Sequence, residues 1–372
     1  MPRPITVAEN AMARCLIGCG SNLGRRREQI DRAMELLRYM PGLQVLAVSR
    51  YRETRPVGGP VGQSSYLNGA CLLETDLTPR DVLGMLAAVE NTLHRDRNDR
   101  WGERTLDLDL LLYDDLVLDE ADLTVPHPRM TTRRFVLEPA VEIAADFRHP
   151  LADCSLAALL ANISVPHPLV AIVGVPGSGA AEIAAAVADA VMARPIHAAH
   201  PLPCGAANHP QAWRDVVSTW TRSLVEADWT ADPHGTVIDF WLDMIPAAAA
   251  DCLPAAESAR LEADVARMAM DVPAPHVAIL LVAEAAVLEE RNAARGRRAA
   301  GGMPCVDPLA ATATLSLPVP TAVLVQLQER IVRRLRGPGP RSVLAPKAVV
   351  TVDASDPSRA VAEATAAVEA MV

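Results

Sequence analysis

The chain lacks most features of exported, membrane-bound or nucleic-acid-binding proteins. Residues 1–12 have no apolar core of a signal peptide, and no apolar run of about eighteen residues occurs anywhere. Acidic residues outnumber basic ones by 45 to 35, and the basic residues form no stripe. The seven cysteines include no Cys-x-x-Cys pair, which fits reduced thiols better than disulfides or zinc. We therefore expect a cytoplasmic protein without a nucleic-acid or membrane partner.

One stretch is rich in chemically useful residues. Residues 100–112 read Arg-Trp-Gly-Glu-Arg-Thr-Leu-Asp-Leu-Asp-Leu-Leu-Leu. As a strand, this stretch turns Asp107 and Asp109 to one face, roughly 6–7 Å apart, and the intervening leucines to the other. Mg²⁺ is commonly held by one or two carboxylates together with substrate phosphates, so the pair predicts a metal site. For an Asp-x-Asp pair alone, an exposed acidic strand face remains the alternative.

Arginines surround this acidic pair in the sequence. They are Arg95, Arg97, Arg100 and Arg104. A guanidinium group presents a planar fork of donors that matches phosphate oxygens. Together with the carboxylates and their metal, these arginines predict a clamp for ATP.

The pattern Arg-x-Arg-x-x-Arg-Trp-Gly-x-Arg-Thr-x-Asp-x-Asp, which runs from Arg95 to Asp109, resembles that of the 6-hydroxymethyl-7,8-dihydropterin pyrophosphokinases of folate biosynthesis. Residues 17–24 resemble the first strand and Gly-Ser-Asn-Leu-Gly turn of that family, and residues 25–39 read as an amphipathic helix. The resemblance implies an α+β ferredoxin-like domain. The family usually has proline where Glu103 stands, so we expect a less rigid arginine loop.

The resemblance also implies a pterin site. Its residues would be Thr54, Pro56, Val57, Tyr66, Asn68, Trp101 and Phe135. The Asn68 amide both donates and accepts hydrogen bonds, which suits a pterin edge, although a turn residue is the alternative. Phe135 falls where the family stacks an aromatic ring on the pterin. Because aromatic residues make up only 3% of the chain, we favour this role over simple core packing.

The same resemblance implies a reaction and its machinery. The pterin hydroxymethyl oxygen would attack the β-phosphorus of ATP, so that diphosphate is transferred and AMP is released. Two Mg²⁺ ions would be held by Asp107 and Asp109. The implied catalytic residues are Arg95, Arg104, Asp107 and Asp109, and the implied ATP-binding residues are Arg97, Arg100, Arg104, His127 and Arg133.

With 372 residues, the chain is too long for one ordinary domain. We expect a flexible N-terminus at 1–12, the pyrophosphokinase domain at 13–163, a linker at 164–168 and a second domain at 169–372. In the second domain, residues 169–173 read as a buried strand and the following residues 174–182 have the form of a P-loop. A working P-loop needs lysine and then serine or threonine, where this chain has Ala180 and Ala181.

Further segments of the second domain support an α/β fold. Residues 275–282 and 348–353 read as buried strands, and residues 287–298 resemble the arginine-bearing lid of deoxynucleoside kinases. The 30 prolines and the alanine-rich stretches 246–250 and 310–313 predict a loop-rich domain. We expect a degenerate kinase-like module that forms a homodimer, stabilises the enzyme or keeps weak nucleotide binding.

Other interpretations of the sequence stay open. The second domain could be an active deoxynucleoside kinase or an unrelated α/β module. For the whole chain, the rivals are a nucleotide kinase with an N-terminal regulatory domain and a scaffold without activity.

Overall fold

The computed structural model describes residues 12–59, 62–93, 105–198, 210–250, 252–300, 319–336 and 345–372, with the backbone alone for 295–300. The chain divides into two compact units, Met1–Ala161 and Asn162–Val372. Among the described residues, none of the helices is long and apolar enough to span a membrane.

The first unit combines helices with short and long strands. Its helices are α1 (Arg26–Tyr39), α2 (Pro79–Thr92), α3 (Arg134–Ala144) and α4 (Leu156–Ile163), the last lying at the division between the units. Its strands are β1 (Ala13–Ser21), β2 (Leu43–Val48), β3 (Arg52–Thr54), β4 (Tyr66–Thr75), β5 (Asp107–Tyr113), β6 (Leu118–Asp119), β7 (Thr124–Val125), β8 (Arg148–His149) and β9 (Cys154–Ser155).

The main sheet of the first unit is antiparallel, in the order β2-β4-β1-β5, with β3 paired to β4. Strand β1 therefore lies at the centre, between β4 and β5. Alternate residues of β1 face opposite sides of the sheet, and Cys15, Ile17 and Cys19 are buried in the core with the apolar residues of α1 and α2. The predicted helix at 25–39 is confirmed within one residue, and its apolar residues Ile30, Ala33, Met34 and Leu37 are buried.

The second unit contains a parallel sheet and seven helices within its described residues. The strands are β10 (Leu169–Val173), β11 (Arg194–Ile196), β12 (Thr236–Ile238), β13 (Val277–Val282) and β14 (Ala348–Asp353). The helices are α5 (Ala180–Ala190), α6 (Pro210–Val225), α7 (Met244–Ala249), α8 (Ala255–Met268), α9 (Ala285–Ala300), α10 (Thr321–Arg336) and α11 (Pro357–Glu369).

The parallel strands have the order β11-β12-β10-β13-β14. Strand β10 is central and fully buried, and it coincides with the predicted strand at 169–173. The predicted strand at 348–353 is likewise confirmed, and the one at 275–282 begins two residues later, at Val277.

For the residues of the second domain that the structure describes, the prediction of a loop-rich domain is wrong. Residues 244–249 form α7, all of which is buried. Alanine has the highest helix propensity, and Pro246 lies in the first turn of α7, where proline is tolerated. The other alanine-rich stretch, 310–313, lies outside the described residues.

The close packing of Gly235 against Pro168 in the second unit can be tested by substitution. It has a φ of +85°, and a Cβ atom there would lie 2.3 Å from the carbonyl oxygen of Pro168. That oxygen also accepts a hydrogen bond from the Thr236 N–H, at 2.8 Å, so it is not free to move away. We expect Gly235→Ala to lower the free energy of unfolding by about 2 kcal/mol or more, through left-handed strain and this clash.

The measurement is urea unfolding followed by tryptophan fluorescence, since Trp213, Trp220, Trp229 and Trp241 belong to the second unit. His234→Ala changes an exposed side chain in the same turn and is the control, with an expected effect within about 0.5 kcal/mol. Equal stability of the two variants would contradict the prediction.

Candidate functional site

The central strands bring polar residues together on one face of the antiparallel sheet. Gly20 of β1 is paired with Asn68 of β4 on one side and with Asp107 of β5 on the other. Gly18 is paired in the same way with Asp109. Residues directly opposite each other in an antiparallel sheet share a face, so these side chains project to the same side.

The burial of β5 follows the predicted alternation. Its neighbouring leucines are almost completely buried, whereas Asp107 and Asp109 are partly exposed. The buried residues are Leu106, Leu108 and Leu110. The acidic pair therefore lies on the face away from the α1 and α2 core, as the sequence predicts.

The glycines of β1 leave space for this site. A Cβ atom on Gly20 would lie 2.9 Å from the Asn68 Oδ1 atom, and one on Gly18 would lie 3.3 Å from Leu111 Cδ1. Side chains from β4 and β5 can thus extend over the central strand. The sequence analysis interpreted both glycines only as part of a strand and turn motif and missed this role.

A cavity of about 330 Å³ opens over this face. Its lining includes all the predicted site residues that the structure describes, namely Thr54, Pro56, Val57, Tyr66, Asn68, Asp107, Asp109, His127, Arg133 and Phe135. The predicted residues Arg95, Arg97, Arg100, Trp101 and Arg104 lie outside the described residues, as does Glu103.

Asn68 is fixed within the sheet and lines the cavity. It lies in β4 and not in a turn, so the alternative interpretation is wrong. Its Nδ2 group donates to the Thr54 Oγ1 atom at 2.7 Å, and its side chain lies beside Gly20. This hydrogen bond holds the amide with its polar edge at the cavity wall.

Phe135 lies at the start of α3, is partly exposed and lines the cavity. The Arg133 guanidinium carbon is 5.6 Å from the centre of the Phe135 ring, a distance typical of a cation–π contact. The alternative interpretation of Phe135 as a buried core residue is therefore wrong.

His127 is held at the outer edge of β5. A bulge in β5 at Leu111 interrupts the pairing with β1, because Leu16 is paired with Leu112 while Ile17 is paired with Leu110. The Leu111 carbonyl accepts a hydrogen bond from the His127 N–H at 2.9 Å. The bulge thus brings the loop that carries His127 to the cavity.

The imidazole of His127 is neutral at physiological pH. Its pKa is lowered to about 3, mainly by burial and also by the nearby positive charges of Arg133 and Arg129, against the opposing effect of Asp107. The Nδ1 atom accepts a hydrogen bond from the Arg129 N–H at 3.2 Å. The neutral ring therefore carries its proton on Nε2, which makes it a hydrogen-bond donor and not a cation.

The cavity lining also contains residues that the sequence analysis did not select, including Arg55, Gln63 and Arg129. Arg55 lies between the selected residues Thr54 and Pro56, and Arg129 lies two residues after the selected His127. A positive charge close to a selected residue was the signal that could have identified each of them. With Arg133, three arginines line the cavity that also contains the two carboxylates.

The acidic pair fits Mg²⁺. Across the described part of the chain, no group of three or more His, Cys, Asp or Glu side chains could hold a metal ion. Two carboxylates would fill only part of the octahedral coordination of Mg²⁺ and would leave the other positions to water and phosphate oxygens. Mg²⁺ sites in proteins commonly have this composition.

Comparison with known proteins agrees with this geometry. Residues 16–145 match the family model described as 7,8-dihydro-6-hydroxymethylpterin-pyrophosphokinase. The 2-amino-4-hydroxy-6-hydroxymethyldihydropteridine pyrophosphokinase of Pseudomonas aeruginosa is 42% identical over 137 residues, which span 37% of this chain and 84% of the relative. The enzyme of the same name from Synechocystis is 37% identical over 148 residues, or 40% of this chain and 75% of the relative.

Among solved structures, a deoxyadenosine kinase from M. mycoides with bound dATP covers 53% of this chain and 96% of its own at 12% identity. Its TM-score of 0.35 is too low to support any conclusion.

The family match and the named relatives define the first unit as an enzyme of the pyrophosphokinase class. The chain belongs to the 7,8-dihydro-6-hydroxymethylpterin-pyrophosphokinase family, through the region that forms this unit.

The pKa of His127 leads to a pH-dependent stability. The ordinary imidazole pKa is 6.5, so the unfolded chain binds a proton between pH 6.5 and about 3 while the folded chain does not. The contribution of His127 is therefore fully present above pH 6.5 and is lost as the pH falls through this window. We expect His127→Asn to make stability less dependent on pH, because an amide does not titrate.

The measurement is the free energy of unfolding of both proteins at pH 7 and pH 5 without ligands. Between these values the wild-type protein should lose roughly 1 to 2 kcal/mol more than the variant. Identical losses would show that His127 titrates normally.

Proposed function

We propose that the cavity binds the pterin at its Asn68 end and the phosphates of ATP, with Mg²⁺, at its Asp107–Asp109 end. The family reaction transfers diphosphate from ATP to the hydroxymethyl group of 6-hydroxymethyl-7,8-dihydropterin and yields AMP. The observation that carries this proposal is the register of β4, β1 and β5, which sets an amide and two carboxylates across one sheet face.

The Asn68 end of the cavity suits a flat, polar heterocycle. The Asn68 amide and the backbone of Thr54 and Val57 would pair with its edge, while Pro56 and Tyr66 would border it. Phe135 offers a ring face for stacking. By resemblance, Trp101 would cover the other face of the pterin.

The other end of the cavity suits a polyphosphate. Asp107 and Asp109 would hold Mg²⁺, and the family resemblance favours two ions. Arg133 would contact phosphate oxygens, and neutral His127 would donate to one of them from Nε2. By resemblance, Arg97 and Arg100 would bind ATP, and Arg95 and Arg104 would have catalytic roles.

This arrangement accounts for catalysis mainly by positioning. Asn68 and Phe135 would orient the pterin so that its hydroxymethyl oxygen points along the sheet face toward the β-phosphorus. Arginine side chains would stabilise the charge that develops on the transferred group and on the AMP leaving group. Mg²⁺ held by Asp107 and Asp109 would supply further neutralisation of that charge.

The acidic pair provides the test of this proposal. We expect Asp107→Asn and Asp109→Asn each to lower pterin-dependent AMP formation by about 1000-fold or more, because each removes a negatively charged metal ligand while keeping the side-chain shape. The assay measures AMP formed from ATP, Mg²⁺ and 6-hydroxymethyl-7,8-dihydropterin. Asp119→Asn, at an exposed position of β6, is the matched control and should leave the rate unchanged. Near-normal AMP release by the first two variants would overturn the assignment.

We also propose a ferredoxin-like architecture for the first unit. Its order of elements is β1-α1-β2, then β4-α2-β5. In the sheet, β4 lies between β1 and β2, and β1 lies between β4 and β5. Two interleaved split βαβ units of this kind define the ferredoxin-like pattern. Strand β3 is an addition that carries Thr54 to the cavity.

For the second unit, we propose a P-loop-like module without kinase activity. Strand β10 leads through residues 174–179 into α5, and Gly177 and Gly179 have the positive φ values of 92° and 85° expected for a tight loop. Residues 164–168, between α4 and β10, contain no helix or strand, which supports their role as a linker. A homodimer formed through this unit remains part of the proposal.

The loop has lost the groups that phosphoryl transfer requires. Ala180 and Ala181 replace the lysine and the hydroxyl residue of a working loop. Arg291 of α9 donates to the carbonyl oxygens of Gly177 and Ser178, at 3.3 and 3.5 Å, and to that of Ser355 at 3.1 Å. Its guanidinium group is thus engaged with backbone carbonyls.

We expect the full chain carrying Asp109→Asn to form no ADP from ATP and any of the four deoxynucleosides. This substitution removes the AMP-forming reaction, so any remaining turnover belongs to the second unit. The measurement is ADP release compared with the same mixture lacking deoxynucleoside. Deoxynucleoside-dependent ADP that disappears on adding Asp239→Asn, at the carboxyl end of β12, would instead identify an active kinase.

A further inference from the structure

Glu90 is a buried carboxylate beside the acidic pair. It lies in the last turn of α2, and only 2% of its surface is exposed. Its Oε1 atom accepts a hydrogen bond of 2.7 Å from the N–H of Leu108. Leu108 is the residue between Asp107 and Asp109. A buried carboxylate thus contacts the backbone at the midpoint of the proposed metal-binding strand.

This hydrogen bond lies at the open edge of the sheet. Strand β5 is last in the order β2-β4-β1-β5, and within the described residues no strand of this sheet pairs with its other side. Outward-facing backbone groups of such a strand need partners when they are buried. Glu90 supplies an acceptor for Leu108, and the His127 N–H supplies a donor for the Leu111 carbonyl.

Helix α2 holds Glu90 firmly. Its apolar residues Val82, Leu86 and Val89 are buried in the core. Its start is capped by reciprocal hydrogen bonds between Thr78 and Asp81. The Tyr113 hydroxyl, at the end of β5, donates to the Leu77 carbonyl at 2.6 Å, just before α2 begins. Strand β5 is thus attached to both ends of the helix.

We propose that Glu90 is a positioning residue for the metal-binding carboxylates. The Leu108 N–H belongs to the peptide group that joins Asp107 to Leu108. Holding the plane of that peptide restrains the ψ torsion of Asp107 and the φ torsion of Leu108, and so limits how far the backbone that carries Asp107 and leads to Asp109 can turn. Glu90 acts on the site through this backbone and does not touch the substrates.

The inference rests on the proposed function of the first unit and predicts a specific pattern of defects. Glu90→Ala removes the acceptor, and we expect it to lower kcat and to raise the Mg²⁺ concentration for half-maximal rate, each by about 10- to 100-fold. Glu90→Gln keeps an acceptor oxygen and should restore both values to within a few fold of wild type. The KM for the pterin should remain unchanged, because Asn68 and Thr54 lie on other strands.

The control is Thr75→Val, which also removes a buried hydrogen bond to the backbone. The Thr75 Oγ1 atom accepts from the Leu77 N–H at 3.1 Å and donates to the Gly42 carbonyl at 2.6 Å, at the end of β4 away from Asn68. This variant should lose stability without any change in the Mg²⁺ dependence.

A second readout needs neither metal nor activity. Amide hydrogen exchange of the ligand-free chain should be faster in residues 105–113 of Glu90→Ala than in wild type, with little change in β4. Glu90→Gln should exchange like wild type.

The outcomes separate this inference from the proposed function. If wild type forms no pterin-dependent AMP, the proposed function fails, although the exchange result still tests the backbone role of Glu90. If wild type is active and Glu90→Ala keeps normal kcat, Mg²⁺ dependence and exchange, the inference is overturned. Equal defects in Glu90→Ala and Thr75→Val would also overturn it, since they would reflect general destabilisation.

Discussion

The antiparallel register of β1 with β4 and β5 is the constraint on which the site depends. Gly20 is opposite Asn68 and Asp107 at once, so this register sets the Asn68 amide and the Asp107 carboxylate side by side on one face of the sheet. A shift by one residue would turn both carboxylates into the apolar core and bring Leu108 into the cavity. Burial of Leu106, Leu108 and Leu110 opposes such a shift, so the hydrophobic effect also positions the charged groups.

Features that depend on local pattern could be predicted from the sequence. The alternation of leucine and aspartate in β5 gave the correct faces, and the continuous apolar run at 169–173 gave a buried parallel strand, because both signals are contained in a few adjacent residues. Helix α7 was missed for the opposite reason. A Pro-Ala-Ala-Ala sequence is compatible with loop or helix, and only packing by the rest of the second unit decides between them.

Parts of the site depend on partners distant in sequence, and these could not be predicted. The bulge at Leu111 matters because its carbonyl meets the His127 N–H, sixteen positions away, and no local pattern marks that contact. Gly18 and Gly20 are only part of a strand and turn motif in the sequence until their neighbours across the sheet are known. Glu90 reads as an ordinary polar residue of an amphipathic helix, and its burial against Leu108 is visible only in three dimensions.

The arginines of the two units have different surroundings. In the first, Arg55, Arg129 and Arg133 line an open cavity that contains two carboxylates. In the second, Arg291 at the loop is bonded to backbone carbonyls. The chain has a single lysine, Lys347, which precedes β14 and therefore lies at the amino edge of the parallel sheet, whereas the P-loop-like turn follows β10 at the carboxyl edge. Lysine therefore cannot supply a charge at that turn, so Arg291 is the basic residue that the structure describes in contact with the loop.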